Sequence, residues 1–438
     1  MPEAVLELLK KLNDSGYDAY IVGGCVRDLV MDIKPHDYDI TTSATPEEVH
    51  EVLRDYYIID TGIKHGTVTV MYDGEPYEIT TFRADSPTYS DHRHPDTVTY
   101  SKTVEEDLIR RDFTVNAMAY SPATGLVDLH GGLEDISNKI IRCVGNPDTR
   151  FNEDALRILR CIRFAGKLHF TIEQATEEAL FRQAPLLDYI SSERIMSEFS
   201  QILLCDDIEN ILMKYRDIFT QFIPELKDLF DYDQHSRYHL YDLWTHTCMV
   251  TAGVRPYLPL RFAALLHDIG KPECKTVSED GYWHYHGHNM ASADKARIIL
   301  KRLTAPNNLI QEVIPLIENH DRRLFTDKSI RKTYNIMGSR ESMDNLVELM
   351  KADNDTKNLE TLSFYNDEYY EHIKVVLDAE DTQLLTVHDL AINGDDLTSR
   401  GLTGKDIGKA LQKALNGVLE GLVDNDKQEL LKFLNLSD

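Results

Sequence analysis

The stretch from Tyr20 to Thr42, YIVGGCVRDLVMDIKPHDYDITT, brings a two-glycine turn, an arginine and two aspartates close together. Gly23 and Gly24 lack Cβ, so their backbone N–H groups can approach a ligand closely, and amides presented that way suit a phosphate. Arg27 and Asp28 follow in the first turn of a predicted helix and add a cation near its dipole-positive end. Asp37-Tyr38-Asp39 reads as a short strand whose period of two sends both carboxylates to one face and Tyr38 to the other. Two carboxylates side by side repel unless cations sit between them, and the usual cation is Mg²⁺ shared with a substrate's phosphates. An Asp-x-Asp alone is more often a solvated strand end, and it is the preceding glycines and arginine that point to phosphate chemistry.

The flanking elements must hold these groups in place. Val5, Leu8, Leu9 and Leu12 form a helical stripe that ends at Asn13-Asp14-Ser15-Gly16, before a strand over Ala19 to Val22. Thr45-Pro46-Glu47-Glu48 is a capping box that opens a helix to about Arg54. Gly66 to Tyr72 and Tyr77 to Arg83 alternate around Asp73-Gly74, which predicts a hairpin. Glu78 on its second strand is either a third carboxylate beside Asp37 and Asp39 or a solvent-facing strand residue. Ser86 to Lys102 is polar and reads as a loop. From Asn152 the pattern is helical, with Leu156, Leu159, Ile162 and Ala165 on one face and Arg157, Arg160 and Arg163 flanking it. Near the C-terminus, Lys405, Lys409 and Lys413 lie four apart and form a cationic ridge on a predicted helix.

Composition sets the limits. The 438 residues are too many for one core and imply several domains, and 42% hydrophobic with 28% charged residues describes an ordinary soluble protein. The N-terminus reads as an amphipathic helix and not a signal peptide, no apolar run is long enough to span a membrane, and a cytoplasmic location is expected. Six scattered cysteines without a C-x-x-C argue against a disulfide framework or a zinc ribbon. A net charge of −27 argues against nucleic acid as partner unless cations are gathered where it would lie.

GGCVRD with HDYD, then IRRDFTVNA, EDALRILRCIRF and SSERIMSE, occur in an order that resembles the class II tRNA nucleotidyltransferases, the CCA-adding enzymes of the polymerase β-type superfamily. The similarity covers roughly residues 15 to 205 and resumes in the C-terminal LAINGDDL and GKDIGKAL segments. The resemblance implies an α+β fold: a polymerase β-like head with a mixed sheet (1–145), a helical neck (146–230), an inserted helical domain (235–370) and a helical tail contacting tRNA (371–438). It implies that Asp37 and Asp39, with Glu78 as a third acidic position, bind two Mg²⁺ ions and are catalytic. It also implies that Gly23, Gly24 and Arg27 hold the triphosphate, and that Arg111, Asp112 and Asn116 read the ribose. Asp154 and Arg157, taken as neighbours on one helix face, would read the base. A carboxylate accepting from the exocyclic amine and a guanidinium donating to the ring nitrogen selects cytosine and adenine without a template. Arg160 and Arg163 complete the nucleotide site. The partners implied are the acceptor arm of tRNA, CTP and ATP, with Lys405, Lys409 and Lys413 on RNA phosphates.

His246, the pair His267-Asp268 in FAALLHDIGKP, and Asp353 resemble the HD metal-dependent phosphohydrolases, where four such residues hold a divalent metal. His288 and His320 fall where some members place further ligands, while Asn289 stands where an acidic residue is expected. Three rival readings remain at this stage: a poly(A) polymerase, a CC-only or A-only enzyme, and an HD phosphohydrolase acting on nucleotides or RNA ends.

Overall fold

The computed structural model describes residues 1–84, 99–358, 360–379 and 384–436. Most of the polar Ser86 to Lys102 segment therefore lies outside the described residues. The chain divides into two compact units, 1–207 with 215–224, and 208–214 with 225–438. The residues expected to form the head and most of those expected to form the neck fall in the first of these units.

The first unit begins with α1 (Glu3–Asp14), whose Val5, Leu8, Leu9 and Leu12 are buried as its stripe requires. It continues through β1 (Ala19–Val22), α2 (Gly24–Val30), β2 (Ile40–Thr42), α3 (Pro46–Val52), β3 (Tyr57–Ile59), β4 (Thr67–Tyr72), β5 (Glu75–Thr81), β6 (Arg83–Ala84) and β7 (Thr99–Tyr100). Then come α4 (Val104–Ile109), β8 (Met118–Ser121), β9 (Gly125–Asp128), α5 (Gly132–Asn138) and β10 (Ile140–Ile141). The capping box of α3 forms between Thr45 and Glu48. Asp73 and Gly74, both at positive φ, turn β4 into β5.

Seven strands make one sheet in the order β3-β4-β5-β2-β1-β8-β9. β2 runs parallel to β5 and antiparallel to β1, so Ile40 sits between Ile79 and Ile21. The sheet is mixed, and its apolar face closes over α1 and α3 in a core that includes Leu8, Leu12, Ile21, Ile40, Val49 and Ile79. The helical part of this unit comprises α6 (Pro147–Glu153), α7 (Leu156–Leu168), the short β11 (Thr171–Ile172), α8 (Gln174–Gln183) and α9 (Ser192–Leu203). Its aromatic centre packs Phe199 against Phe219 and Phe222.

After α10 (Ile208–Lys214), which belongs to the second unit, and α11 (Arg216–Phe219), which belongs to the first, the fold is helical apart from one small ribbon. The second unit contains α12 (Leu243–Gly253), α13 (Leu258–Leu266), the ribbon β12 (Thr276–Val277) and β13 (Trp283–His284), α14 (His288–Arg302) and α15 (Asn307–Asn319). It continues with α16 (Asp327–Met337), α17 (Arg340–Asp355), α18 (Asp367–Asp378), α19 (Gly394–Thr398), α20 (Lys405–Leu419) and α21 (Lys427–Phe433). The last three helices enclose a small apolar cluster around Leu397, Ala414 and Leu430. Among the described residues no helix is long and apolar enough to cross a membrane. All six cysteines are free, five of them buried and Cys274 partly exposed.

One glycine fixes the approach of α5 to the sheet. A Cβ on Gly132 would lie 2.5 Å from the Thr114 carbonyl and 2.9 Å from the Met118 side chain. Because Thr114–Asn116 is a rigid turn that carries Asn116, Gly132→Ala is expected to cost about 1–3 kcal/mol. Chemical denaturation of the variant against the wild type measures it.

Candidate active site

The glycine turn is built as the sequence requires. Gly23 has φ +79°, a conformation only glycine adopts without strain, and its N–H donates to the Met118 carbonyl at 3.1 Å. A Cβ there would meet Arg111 Nη1 at 3.1 Å, so Arg111 lies directly over the turn. Arg27 is buried, and its guanidinium bonds within the protein. Its Nη1 donates to Asn116 Oδ1 at 2.7 Å, and its Nε and Nη2 donate to Asp28 Oδ1 at 2.9 and 2.6 Å. The guanidinium therefore ties the turn to the Asn116 segment.

Asp37 and Asp39 do not lie on a strand; both precede β2, which starts at Ile40. The backbone still continues the ladder, since the Val22 N–H donates to the Asp39 carbonyl at 3.0 Å. Tyr38 packs against the apolar core, which turns the flanking carboxylates away from it. Asp37 and Asp39 are both exposed residues, although the neighbouring chain desolvates the Asp39 carboxyl. Extending the parallel β2–β5 register by one residue sets Asp39 beside Glu78. Burial, then the charges of Asp37 and Glu78, raise the Asp39 carboxyl above its ordinary range, and only Arg111 opposes them. Asp39 thus feels two like charges with one cation to offset them, a repulsion that a bound divalent cation would relieve.

A continuous set of polar contacts runs from this turn into the helical part. Asn116 Nδ2 donates to Asp112 Oδ1 at 3.3 Å, and Arg160 donates to Asp112 Oδ2 through Nε and Nη2 at 2.9 and 2.7 Å. Burial opposes ionisation of Asp112, but Arg160 and Arg157 hold its carboxyl below the usual range. Arg163 donates to Glu198 Oε2 at 2.6 Å and stacks on Phe164 with its centre 4.3 Å from the ring. Arg160 Nη1 lies 3.8 Å from the other Glu198 oxygen.

Asp154 and Arg157 do not share a helix face. Asp154 occupies an extended break, φ −144° and ψ 101°, between α6 and α7, and Arg157 stands in the first turn of α7. Arg157 donates to Glu153 Oε2 at 2.6 Å and to the carbonyls of Arg150 and Arg110 at 3.0 and 2.9 Å. Arg194 of α9 grips Asp154, donating to its two oxygens at 3.3 and 2.9 Å. Arg194 and Glu198 were both missing from the predicted site. They stand four apart in SSERIMSE, and that spacing on a helix was the available signal.

The second unit gathers the predicted histidines. His246 Nε2 lies 3.4 Å from Asp268 Oδ2 and 3.2 Å from Asp353 Oδ1. His267 Nε2 lies 3.1 Å from Asp268 Oδ2. The other Asp268 oxygen faces His288 Nε2 at 3.3 Å and His320 Nε2 at 3.7 Å. Separations near 3 Å are those of atoms sharing a cation with bonds of about 2.1 Å. The Nδ1 atoms of His267, His288 and His320 each face the carbonyl three residues earlier, at 2.7 to 2.8 Å, which aims every Nε2 at the common centre. The Nε2 atoms of His246 and His267, Asp268 Oδ1 and Asp353 Oδ1 are buried without a hydrogen-bond partner, while the Lys271 ammonium lies 2.6 Å from Asp268 Oδ2. That donor set fits a divalent metal. Asn289 turns away and donates to the Glu318 carbonyl at 2.7 Å. Lys405, Lys409 and Lys413 are exposed along α20, with Lys409 3.5 Å from Asp406.

Residues 19–142 match the family described as Poly A polymerase head domain. Residues 169–230 match Probable RNA and SrmB-binding site of polymerase A, and residues 275–434 match tRNA nucleotidyltransferase domain 2. A CCA-adding enzyme of Lactobacillus helveticus is 54% identical over 194 residues, 44% of this chain and 48% of that protein. The CCA-adding enzyme of Enterococcus faecalis is 33% identical over 432 residues, 97% of this chain and 94% of the relative. The crystal structure of the Bacillus stearothermophilus CCA-adding enzyme in complex with CTP superposes with a TM-score of 0.72 at 28% identity, covering 99% of this chain and 98% of that one.

Arg194→Ala removes both donors that orient Asp154. Discrimination between amino-bearing and keto-bearing bases is expected to fall by about tenfold, measured as the ratio of Kd values for CTP and UTP by calorimetry.

Proposed function

The chain belongs to the CCA-adding enzymes, and from that membership and the geometry of its first unit we propose that it adds C, C and A to the 3′ end of tRNA from CTP and ATP. The observation that carries this reading is the polar chain running from Arg27 beside the glycine turn through Asn116 and Asp112 to Arg160, Glu198 and Arg163, because it couples a phosphate site to the neck helices within one compact unit. As the 3′-hydroxyl of tRNA gives up its proton to solvent or a neighbouring carboxylate, its oxygen forms a bond to the α-phosphorus, the bond to the β-phosphate oxygen breaks, and pyrophosphate leaves with that electron pair. Asp37 and Asp39, with Glu78 beside them, are the residues that would hold Mg²⁺. When bound, Mg²⁺ supplies positive charge that sharpens the hydroxyl as a nucleophile and steadies the triphosphate.

The chain's own groups do the rest. With the Gly23 N–H spent on the Met118 carbonyl, the turn offers the Gly24 amide to the phosphates, and Arg111 lies over it. Asp112 and Asn116 face the ribose, Arg27 and Arg160 holding them in place from either side. Asp154, held by Arg194, accepts from the exocyclic amine of cytosine or adenine, and Arg157 donates to the adjacent ring nitrogen, whereas uracil and guanine present the reverse donor and acceptor pattern. The exposed lysines of α20 contact RNA phosphates. The second unit carries an HD-type metal site, with His246, His267, Asp268 and Asp353 as ligands and His288 and His320 completing a second seat on the far side of Asp268.

Incubation with tRNA lacking its 3′ end, Mg²⁺ and single or mixed triphosphates is expected to give C, C, A and then arrest. Long A tails would identify a poly(A) polymerase instead, and addition of C alone or A alone a partial enzyme. The Asp39 carboxyl is raised in the folded state, so its charge costs stability as pH rises through its folded pKa. Asp39→Asn is therefore expected to melt above the wild type at neutral pH without divalent cations, to lose the stabilisation Mg²⁺ gives the wild type, and to lose incorporation. Elemental analysis should find a divalent metal in the purified protein, and Asp268→Asn with His267→Ala should lose it while retaining CCA addition.

A further inference from the structure

Beside the glycine turn lies a group of three arginines around one carboxylate. Asp107 of α4 is fully buried. Arg110 donates to its Oδ1 through Nε and Nη2, and Arg111 donates to its Oδ2 at 3.0 Å. The backbone N–H of Arg83 also donates to Asp107 Oδ1, at 3.2 Å, which draws β6 onto α4. The Arg83 guanidinium is close enough to Arg110 and Arg111 to be repelled by both, and burial together with that repulsion lowers its pKa to about 10. The Nε atoms of Arg83 and Arg111 are buried without a hydrogen-bond partner. Around Asp107, three guanidinium charges thus meet one carboxylate, in a chain whose overall charge is strongly negative.

Uncompensated buried charge is costly, and it persists where a ligand supplies the missing counter-charge. The direction in which the cluster acts is set by Arg111, which reaches from Asp107 to within 3.1 Å of where a Gly23 Cβ would stand and acts electrostatically on Asp39. We propose that Arg83, with Arg110 and Arg111, forms an anion seat for the β- and γ-phosphates of the incoming nucleotide and holds the pyrophosphate as it departs, Arg83 being the member that no resemblance assigns. The assignment rests on the nucleotidyl-transfer reading above. In it, Arg110 and Arg111 pair directly with Asp107, whereas the Arg83 guanidinium feels that carboxylate only through space. The seat then acts on the end of the triphosphate that leaves and contributes nothing to the choice of base.

Three measurements test it. In wild type and Arg83→Gln, the KM for CTP and the inhibition constant of inorganic pyrophosphate are both expected to rise about tenfold or more, because a hydrogen bond between charged groups is lost. The KM for tRNA and the preference for CTP over UTP should not move, and Arg83→Lys should restore part of the effect. Calorimetric titration of inorganic tripolyphosphate into tRNA-free protein, with melting temperature as a control on folding, reads the seat without catalysis. Weaker tripolyphosphate binding by a folded Arg83→Gln supports the seat even if no nucleotide is incorporated, an outcome that would sink only the transfer reading. Unchanged KM, inhibition constant and tripolyphosphate affinity, or a change in the KM for tRNA alone, would overturn the proposal. If Arg83→Gln fails to fold, Arg83→Lys titrated with tripolyphosphate decides, unchanged affinity and inhibition again overturning it.

Discussion

Ion pairing between buried guanidinium and carboxylate groups is what the first unit depends on. Arg27 links Asp28 to Asn116, Asp112 links Asn116 to Arg160, and Glu198 links Arg160 to Arg163. The series passes from the glycine turn, through the turn ahead of β8, to two neck helices. Breaking a buried pair by removing one partner strands the other charge, so each link holds its neighbours to one geometry. Packing alone would let α7 and α9 slide by fractions of an ångström against the sheet; directional bonds fix them.

Much of this was legible in the sequence. The stripe of α1, the capping box of α3, the Asp73-Gly74 hairpin and the Gly23 turn all rest on local rules, and each formed where those rules put it. What local rules missed depends on tertiary contacts. Asp37 and Asp39 alternate as strand residues do, yet pairing within the sheet begins only at Ile40. Asp154 sits in an unbroken helical pattern, but its chain opens into an extended break there, where its side chain is gripped by Arg194 and also accepts from the Leu156 N–H. Asp107 gave no signal, because its partners are Arg110 and Arg111 at ordinary helical spacing, and such pairs are normally exposed.

The histidine cluster was legible for a different reason. His246 and the His267-Asp268 pair stood out as polar residues within apolar runs, and Asp353 was singled out by the HD resemblance. The sequence could not tell that Asp268 turns one oxygen to each of two groups of histidines, because that depends on how α13, α14 and α15 meet. Overall charge proved a poor guide to local field. Acidic residues outnumber basic ones 74 to 47, yet Arg83, Arg110 and Arg111 crowd one aspartate beside the glycine turn.

The cysteines carry a practical consequence. Burial pushes the Cys25 thiol up to about 11 and the Cys143 thiol up to about 12, and it raises Cys161 well above its ordinary value. Thiols so disfavoured as thiolates are poor nucleophiles and slow to oxidise. Cys205 and Cys248 are shielded by the fold itself, which leaves Cys274, after α13, as the natural handle for a maleimide fluorophore. A dye attached there would report on the helical unit from a position remote in sequence from every proposed nucleotide contact, without first stripping the protein of its native sulfhydryls.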